Sequence, residues 1–396
     1  MRVLVVAACP FPWPRGTPVR IHRLSEALVA RGHELDVVTY PIGDRHQTLP
    51  FPVIRVPDPG YYRKTQPGPS VTKVLVFNPW LVRKVIQRYR ELPFAILHAH
   101  HIEGLLVALL ARKLGRLPVP IIYDAHTAIG EELGQYGPAL FRGLAHRVGE
   151  WLDQLPPSLA DHIITVTDDL KELFQNPGRY SVPPISVISN GLEEDFIHRA
   201  RSHQRRVVSE RLVFAGNLAA YQGLEALLSA FARVHSARPE AELHLLTDDD
   251  FSAYRPTCQA LGIMDAVKVR PCGLTELPGE LAEAGVLLNP RMECSGIPQK
   301  LLNYMASGRP IVSFAGSAKV ISSEREGLVV PNGDIDGFAQ AVLRVMTDPV
   351  LSHQLGEAAR DRVQQSYTWS AAARQVETVF ESALTKYNAN SNRYRS

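Results

Sequence analysis

The chain alternates short apolar runs with amphipathic stretches. Val3 to Ala8 is continuously apolar, the pattern of a parallel strand buried on both faces. A loop rich in Pro and Gly follows, from Cys9 to Pro18. Ile21 to Ala30 has helical spacing that Gly32 ends, and Leu35 to Thr39 is the next strand. Further strands are expected at 95–99 and 121–123. A second series begins at 212–216 and continues at 243–246, 286–288 and 311–314, with helices at 224–234 and 337–346. Strands that alternate with helices predict α/β architecture with parallel sheets. A length of 396 residues suits two domains, each able to bury its own core.

The most informative stretch runs from Asn289 to Val312, NPRMECSGIPQKLLNYMASGRPIV. Val286 to Leu288 is a strand end, and Asn289 to Ile297 is a loop. Pro298 suits the first turn of a helix, because its missing N–H would be unpartnered there anyway. Leu301, Leu302, Met305 and Ala306 fall at helical spacing. Gly308 predicts the C-cap, Pro310 stops the helix, and Ile311 to Phe314 is a strand. A helix that starts at a strand's C-terminal end aims free N–H groups and the positive end of its dipole at any anion in the crevice. Ser295, Gly296 and Lys300 stand at that entrance, with Arg291 further back.

Composition narrows the function without choosing it. With 45% apolar and 21% charged residues the chain is ordinary globular protein, and a net charge of +3 does not point to nucleic acid. Cys9, Cys258, Cys272 and Cys294 show no metal spacing and read as reduced thiols, as in a cytoplasmic protein. No run of 18 apolar residues exists to span a membrane. The opening MRVLVVAACPFPWPRG is read as strand one rather than a leader, since its apolar run is short and enters a Pro/Gly loop. Pro50 to Pro69 reads as extended.

Between Arg55 and Arg116 stand 11 Lys and Arg against 3 Asp and Glu. Within that region, 71–90 reads as an amphipathic helix with Val74, Leu75, Phe77, Trp80, Leu81 and Val85 on its apolar side. Such a helix either lies on an anionic membrane surface or buries its apolar side in the domain core. Three close histidines, His98, His100 and His101, lack a fourth ligand nearby in sequence, so no metal is expected. His126 follows a strand's C-terminal end, where α/β folds hold ligands. Glu131 and Glu132 come after it as weaker candidates.

The order Ser-Gly-Ile-Pro-x-Lys-Leu-x-x-Tyr-Met-Ala-x-Gly-x-Pro resembles the donor-sugar segment of glycosyltransferase family 4. The opening Gly16-Thr17-Pro18-Val19-Arg20, the Asn190-Gly191 turn and GLVVPNG at 327–333 resemble that family in the same order. No GxGxxG is present to favour a dinucleotide enzyme. The resemblance covers about 1–387. It implies a GT-B fold, two Rossmann-like domains facing across a cleft. It implies an N-terminal acceptor-side domain at 1–197 and a linker at 198–210. A nucleotide-sugar-binding domain at 211–366 follows, then a helix at 367–387 that returns to the first domain, and a polar, mobile tail at 388–396. By the same resemblance Gly16 and His126 position the transferred sugar, and backbone near Leu274 meets the nucleotide base.

The departures from the family are specific. Its loop after the second domain's first strand carries an arginine and a lysine that hold the donor pyrophosphate. Here those positions are Asn217 and Gln222, just before Gly223. Its paired glutamates, eight positions apart, align with Ser295 and Asn303 around Gly296-Ile297-Pro298; Glu293 is an alternative in a slipped register. An amide donates hydrogen bonds but cannot neutralise phosphate charge, so Lys300, Arg291 or Lys319 must compensate, aided by helix N-termini expected at Tyr221 and Pro298. The reading is a retaining, metal-independent glycosyltransferase with no cofactor. It would move sugar from a nucleotide diphosphate sugar to a saccharide or lipid-linked acceptor in cell-envelope or exopolysaccharide synthesis. It would be cytoplasmic, or peripheral on the inner face of the membrane through 71–90. The alternatives are a non-catalytic partner or scaffold in such a pathway and a sugar-nucleotide epimerase.

Overall fold

The computed structural model describes residues 1–14, 16–62, 70, 72–129, 142–175, 180–203, 208–294 and 296–393, without the side chains of 142–146, 208 and 390–393. It divides into two compact units, Met1–Asn190 with Ala372–Ser396, and Gly191–Ala371. Ser295, Glu131, Glu132 and part of the expected linker lie outside the described residues.

In the first unit the strands are β1 (Arg2–Ala7), β2 (Glu34–Thr39), β3 (Val53–Arg55), β4 (Ile96–His100), β5 (Ile121–Ala125), β6 (His162–Thr165) and β7 (Ile185–Val187). They form one sheet in the order β3-β2-β1-β4-β5-β6-β7, parallel at every pairing. Helices fill the crossovers, which explains the unbroken apolar run of β1: Val3 to Ala7 are at most 1% exposed. Burying one such valine or leucine contributes about 1.5–3 kcal/mol.

The second unit repeats the plan with β8 (Val208–Ala215), β9 (Glu242–Leu246), β10 (Val267–Arg270), β11 (Ala284–Asn289), β12 (Ile311–Phe314) and β13 (Leu328–Val330). Its order is β10-β9-β8-β11-β12-β13, again parallel throughout. Both sheets are doubly wound, as a GT-B fold requires. The strand order reverses between β1 and β4 and between β8 and β11. Ligands of open α/β sheets bind outside the strands' carboxyl ends at such reversals. The loops 216–223 and 290–298 leave the carboxyl ends of β8 and β11.

Several expectations change. The stretch 198–210 is not simply a linker. Its beginning belongs to helix Glu194–Ser202, because Phe196, Ile197 and Ala200 bury against the second unit's core and outweigh the polar residues around them. The tail is helical as far as Arg393, continuous with helix Trp369–Arg393. The 71–90 helix is a π-turn, Lys73–Phe77, followed by α-helix Asn78–Glu91. Its apolar residues divide. Phe77, Leu81, Val82 and Val85 enter the core, while Val74 and Leu75 are 55% and 68% exposed. Lys73 is buried rather than solvated. No described helix is long and apolar enough to cross a membrane.

Candidate functional site

In the second unit, two loops and one helix converge at the β8/β11 reversal. The first loop is built by local chemistry. Gly216 follows β8, Asn217 Oδ1 accepts from Ala219 N, and Asp249 Oδ2 accepts from Leu218 N at 2.7 Å. Ala220–Gln222 is a 3-10 turn, so Tyr221 precedes helix Leu224–Ala237 instead of starting it. Gly223 has φ +74°, and a Cβ there would lie 2.3 Å from Pro290 O. Only glycine lets the two loops approach this closely.

The second loop is pinned from behind. Asn289, fully buried, donates to Ser313 Oγ and Ser317 Oγ, each at 2.8 Å. Ser317 Oγ donates to Arg291 O, and Asn332 Nδ2 donates to Met292 O. Pro298 is the N-cap, one position before its expected place, and helix Gln299–Ser307 ends at Gly308 in the left-handed region. Tyr304 Oη anchors that helix to β8 by accepting from Ala215 N at 2.7 Å.

These elements bring two cations together with the two amides. Lys300 Nζ donates to Gln222 Oε1 at 2.6 Å and lies 4.4 Å from the Phe214 ring centroid. Gln222 Nε2 donates to Asn217 Oδ1 at 3.2 Å, and Asn217 Nδ2 donates to Tyr221 Oη at 3.0 Å. Arg291 lies over the Tyr221 ring, 4.7 Å from its centroid. A continuous chain therefore runs Lys300–Gln222–Asn217–Tyr221–Arg291. Burial and then the Arg291 charge push the Lys300 ammonium down to about 7, with Cys294 pulling the other way. A hollow of about 300 Å³ opens beside it, lined among others by Thr247, Asp248, Cys272, Lys300 and Asn303. That volume is at the lower end for a ligand pocket.

Of the other expected residues, Gly296 and Ile297 lie in the pinned loop, with Ile297 packed on the core. Leu274 is 82% exposed, and the hollow is lined by Cys272 and Leu277 on either side of it. Lys319 is exposed and does not line the hollow. Sequence reasoning missed Tyr221 as the seat of Arg291. An aromatic between the two amides was the available signal.

The first unit holds a separate polar cluster at the β1/β4 reversal and the adjoining end of β5. Asp124, fully buried, accepts from Arg20 Nε at 3.0 Å and Nη2 at 3.1 Å. Arg20 Nη1 donates to Asn190 Oδ1. His126 Nε2 is 3.1 Å from His100 Nδ1 and 3.5 Å from Asp124 Oδ1. His98 Nε2 is 3.4 Å from Asp124 Oδ2. Burial pushes His126 down to about 3, opposed by Asp124 and reinforced by Arg20. His100 is held well below its ordinary value, again chiefly by burial. Burial alone would raise Asp124, but Arg20 overrides it and keeps the carboxylate ionised. His126 is therefore a neutral hydrogen-bonding group near pH 7.

His98, His100 and Asp124 bring possible ligand atoms within 4.8 Å of one another. The partner that the sequence lacked near His98 and His100 is thus Asp124, supplied by the neighbouring strand. Arg20 donates to both of its oxygens, so the carboxylate is already paired with a guanidinium inside the cluster. Gly16, at φ +50°, opens helix Gly16–Ala30, and a Cβ there would meet nothing within 4 Å. That φ favours glycine, and the space beside it is open.

Comparison with known proteins agrees with this architecture. Residues 14–196 match Glycosyltransferase Family 4, and residues 209–348 match the glycosyl transferases group 1. The chain is 26% identical over 414 residues to a glycogen synthase of Mycobacterium tuberculosis, covering 97% of this chain and 95% of that protein. It is also 26% identical over 232 residues to an exopolysaccharide phosphotransferase of Streptomyces coelicolor, where the match spans 57% of this chain and only 24% of that protein. Anabaena HepE in complex with UDP is similar in structure, with a TM-score of 0.67 at 17% identity over 96% of this chain and all of that one. With both parts of the chain matched and both sheets doubly wound, the protein belongs to the glycosyltransferases of GT-B fold.

Proposed function

We propose that this protein transfers a sugar, with retention of configuration and without a required metal, from a nucleotide diphosphate sugar to a saccharide or lipid-linked acceptor of the cell envelope or an exopolysaccharide. The observation that carries the reading is the pairing of Lys300 and Arg291 with the loop 217–222 at the β8/β11 reversal. Two helices, Leu224–Ala237 and Gln299–Ser307, begin at the same place. Fixed cations and helix N-termini are the groups that stabilise a departing diphosphate. Asn303 lines the adjoining hollow, where its amide can both donate to and accept from a ribose diol.

In the proposed reaction the C1–O bond to the diphosphate breaks and the acceptor oxygen bonds to C1 on the same face. The acceptor's proton passes to the departing phosphate oxygen. Lys300 and Arg291 take up the leaving-group charge. His126, neutral at working pH, is assigned to hydrogen bonding with the transferred sugar, and Gly16 to backbone approach. Anabaena HepE, solved with UDP, supports a nucleotide-sugar donor.

The test is calorimetry and thermal shift with UDP, GDP, ADP and dTDP, with and without magnesium. Binding of one diphosphate, unchanged by magnesium, is expected. Lys300→Ala should weaken it at least tenfold, about 1.4 kcal/mol. No binding of any diphosphate would favour the second reading, a non-catalytic pathway partner, which the changes at Asn217, Gln222, Ser295 and Asn303 motivate. Membrane association through 71–90 rests on exposed Val74 and Leu75, with exposed Arg83 and Arg90 further along the same stretch. Flotation with anionic vesicles at low salt should carry the protein upward, and Val74→Glu with Leu75→Glu should abolish that; indifference of the wild type to vesicles rejects it.

A further inference from the structure

We propose that the diphosphate subsite has a single address for its half-buried cation, which can be served from position 222 or position 300, and that Gln222 is the positioning residue that holds Lys300 there. This rests on the nucleotide-site reading above and adds how the site is wired.

Lys300 comes from the helix after β11, and Gln222 comes from the loop after β8. Their side chains are 78 positions apart in sequence and end at one point, 2.6 Å apart. Both polar ends of Gln222 are engaged, Oε1 by Lys300 and Nε2 by Asn217, and the residue is 6% exposed. Its amide therefore has one orientation that satisfies both neighbours, with the oxygen toward the ammonium. A reversed amide would place two donors against Lys300 and lose both bonds.

The surroundings of Lys300 explain why an amide stands at 222. Phe214 of β8 offers its ring face, Gly216 a bare backbone, and Tyr304 of the same helix is turned to the Ala215 backbone. Arg291 and Cys294 face it from the loop before the helix. Asp248, Asp249 and Cys272 line the same hollow from the loops after β9 and β10. Among the described residues no carboxylate forms an ion pair with Lys300, and Asp249 is engaged with Leu218 N. A cation so placed is held by an amide and an aromatic face, and an incoming anion completes it. A second lysine at 222 would set two ammonium groups at one point, so the two positions exclude one another. With no charge at 300, a lysine at 222 reaches the vacated place from the other wall.

The experiment measures Kd for UDP, GDP and ADP by calorimetry with the full chain and the variants Lys300→Met, Gln222→Lys and the double variant. Lys300→Met should weaken the best-bound diphosphate at least tenfold, and Gln222→Lys alone should weaken it or lower the melting temperature. The double variant should return to within about threefold of wild type, a non-additive cycle that a merely structural role does not produce. Repeating the titration at pH 7.5 in two buffers of different ionisation enthalpy gives a second readout. Wild type should take up part of a proton on binding, and Lys300→Met should take up none. A double variant that melts like wild type yet binds no better than Lys300→Met overturns the shared address while leaving the nucleotide site standing. Wild type that binds none of the three diphosphates overturns both.

Discussion

The Lys300 ammonium sits between the Gln222 side-chain oxygen, at 2.6 Å, and the Phe214 ring, at 4.4 Å from its centroid. The lysine is partly buried and its pKa is pushed down to about 7, so near neutral pH it is charged only part of the time. A bound diphosphate would favour the charged form. Diphosphate affinity should therefore fall as pH rises above 7, by up to about tenfold per unit until the bound lysine itself titrates. Titrations between pH 7 and 9 avoid the phosphate's own ionisation near pH 6. Lys300→Met should be flat over that range, and an equal slope in the variant would assign the effect elsewhere.

Arg291 is held over Tyr221 rather than by a carboxylate. Tyr221→Leu should keep the loop's backbone turn but remove the ring beneath the guanidinium, leaving the bond from Arg291 Nε to Glu293 O at 2.6 Å. A partly exposed cation–π contact contributes about 0.5–1 kcal/mol, so diphosphate affinity should fall about two- to fivefold. The check is calorimetry, and an unchanged Kd would show that the Tyr221 ring does not position Arg291 for binding.

Gly223 permits two loops to touch. Gly223→Ala places a methyl group 2.3 Å from Pro290 O and forces a left-handed backbone at φ +74°. The backbone term alone is about 1–2 kcal/mol. Melting temperature should drop by several degrees, and nucleotide binding should weaken because Gln222 and Pro290 move apart. A variant that melts and binds like wild type would mean the loops are not locked as described.

Asp124 neutralises Arg20 in a buried bidentate pair. Asp124→Asn leaves the guanidinium uncompensated, at a cost of about 3–5 kcal/mol. The urea midpoint should fall accordingly. Replacing both residues by apolar ones of similar size should cost less than Asp124→Asn alone.

His126 carries a pH signature. Its folded-state pKa of about 3 lies below the ordinary value, so its contribution to stability is complete above about 6.5 and is lost as pH falls from there towards 3. At one unit below the ordinary value the loss is about 1.4 kcal/mol. Denaturant titrations at pH 8 and 5.5 should show His126→Gln losing less stability than wild type over that interval, by about that amount. Equal losses would mean that His126 is not held neutral.

Much of the architecture is legible in the sequence because strands and helices follow local periodicity. The unbroken apolar run of β1 reports burial on both faces, and Gly308 marks a helix end through its own backbone freedom. Pattern failed where packing overrode composition. From His198 onward, helix Glu194–Ser202 reads as linker, yet it continues a turn whose Phe196 and Ile197 pack in the core. In 71–90, periodicity groups Leu75 with Phe77, and only the folded unit separates the exposed residue from the buried one.

The candidate site divides along the same line. Which residue types stand on which loops can be read along the chain: amides at 217 and 222, cations at 291 and 300, and a histidine after β5. Their partners cannot. Lys300 meets Gln222 across 78 positions, and Arg20 meets Asp124 across 104. Spacing along the chain encodes neighbours three or four residues away, whereas contacts at these separations exist only once parallel strands are placed side by side and their loops share one edge of the sheet.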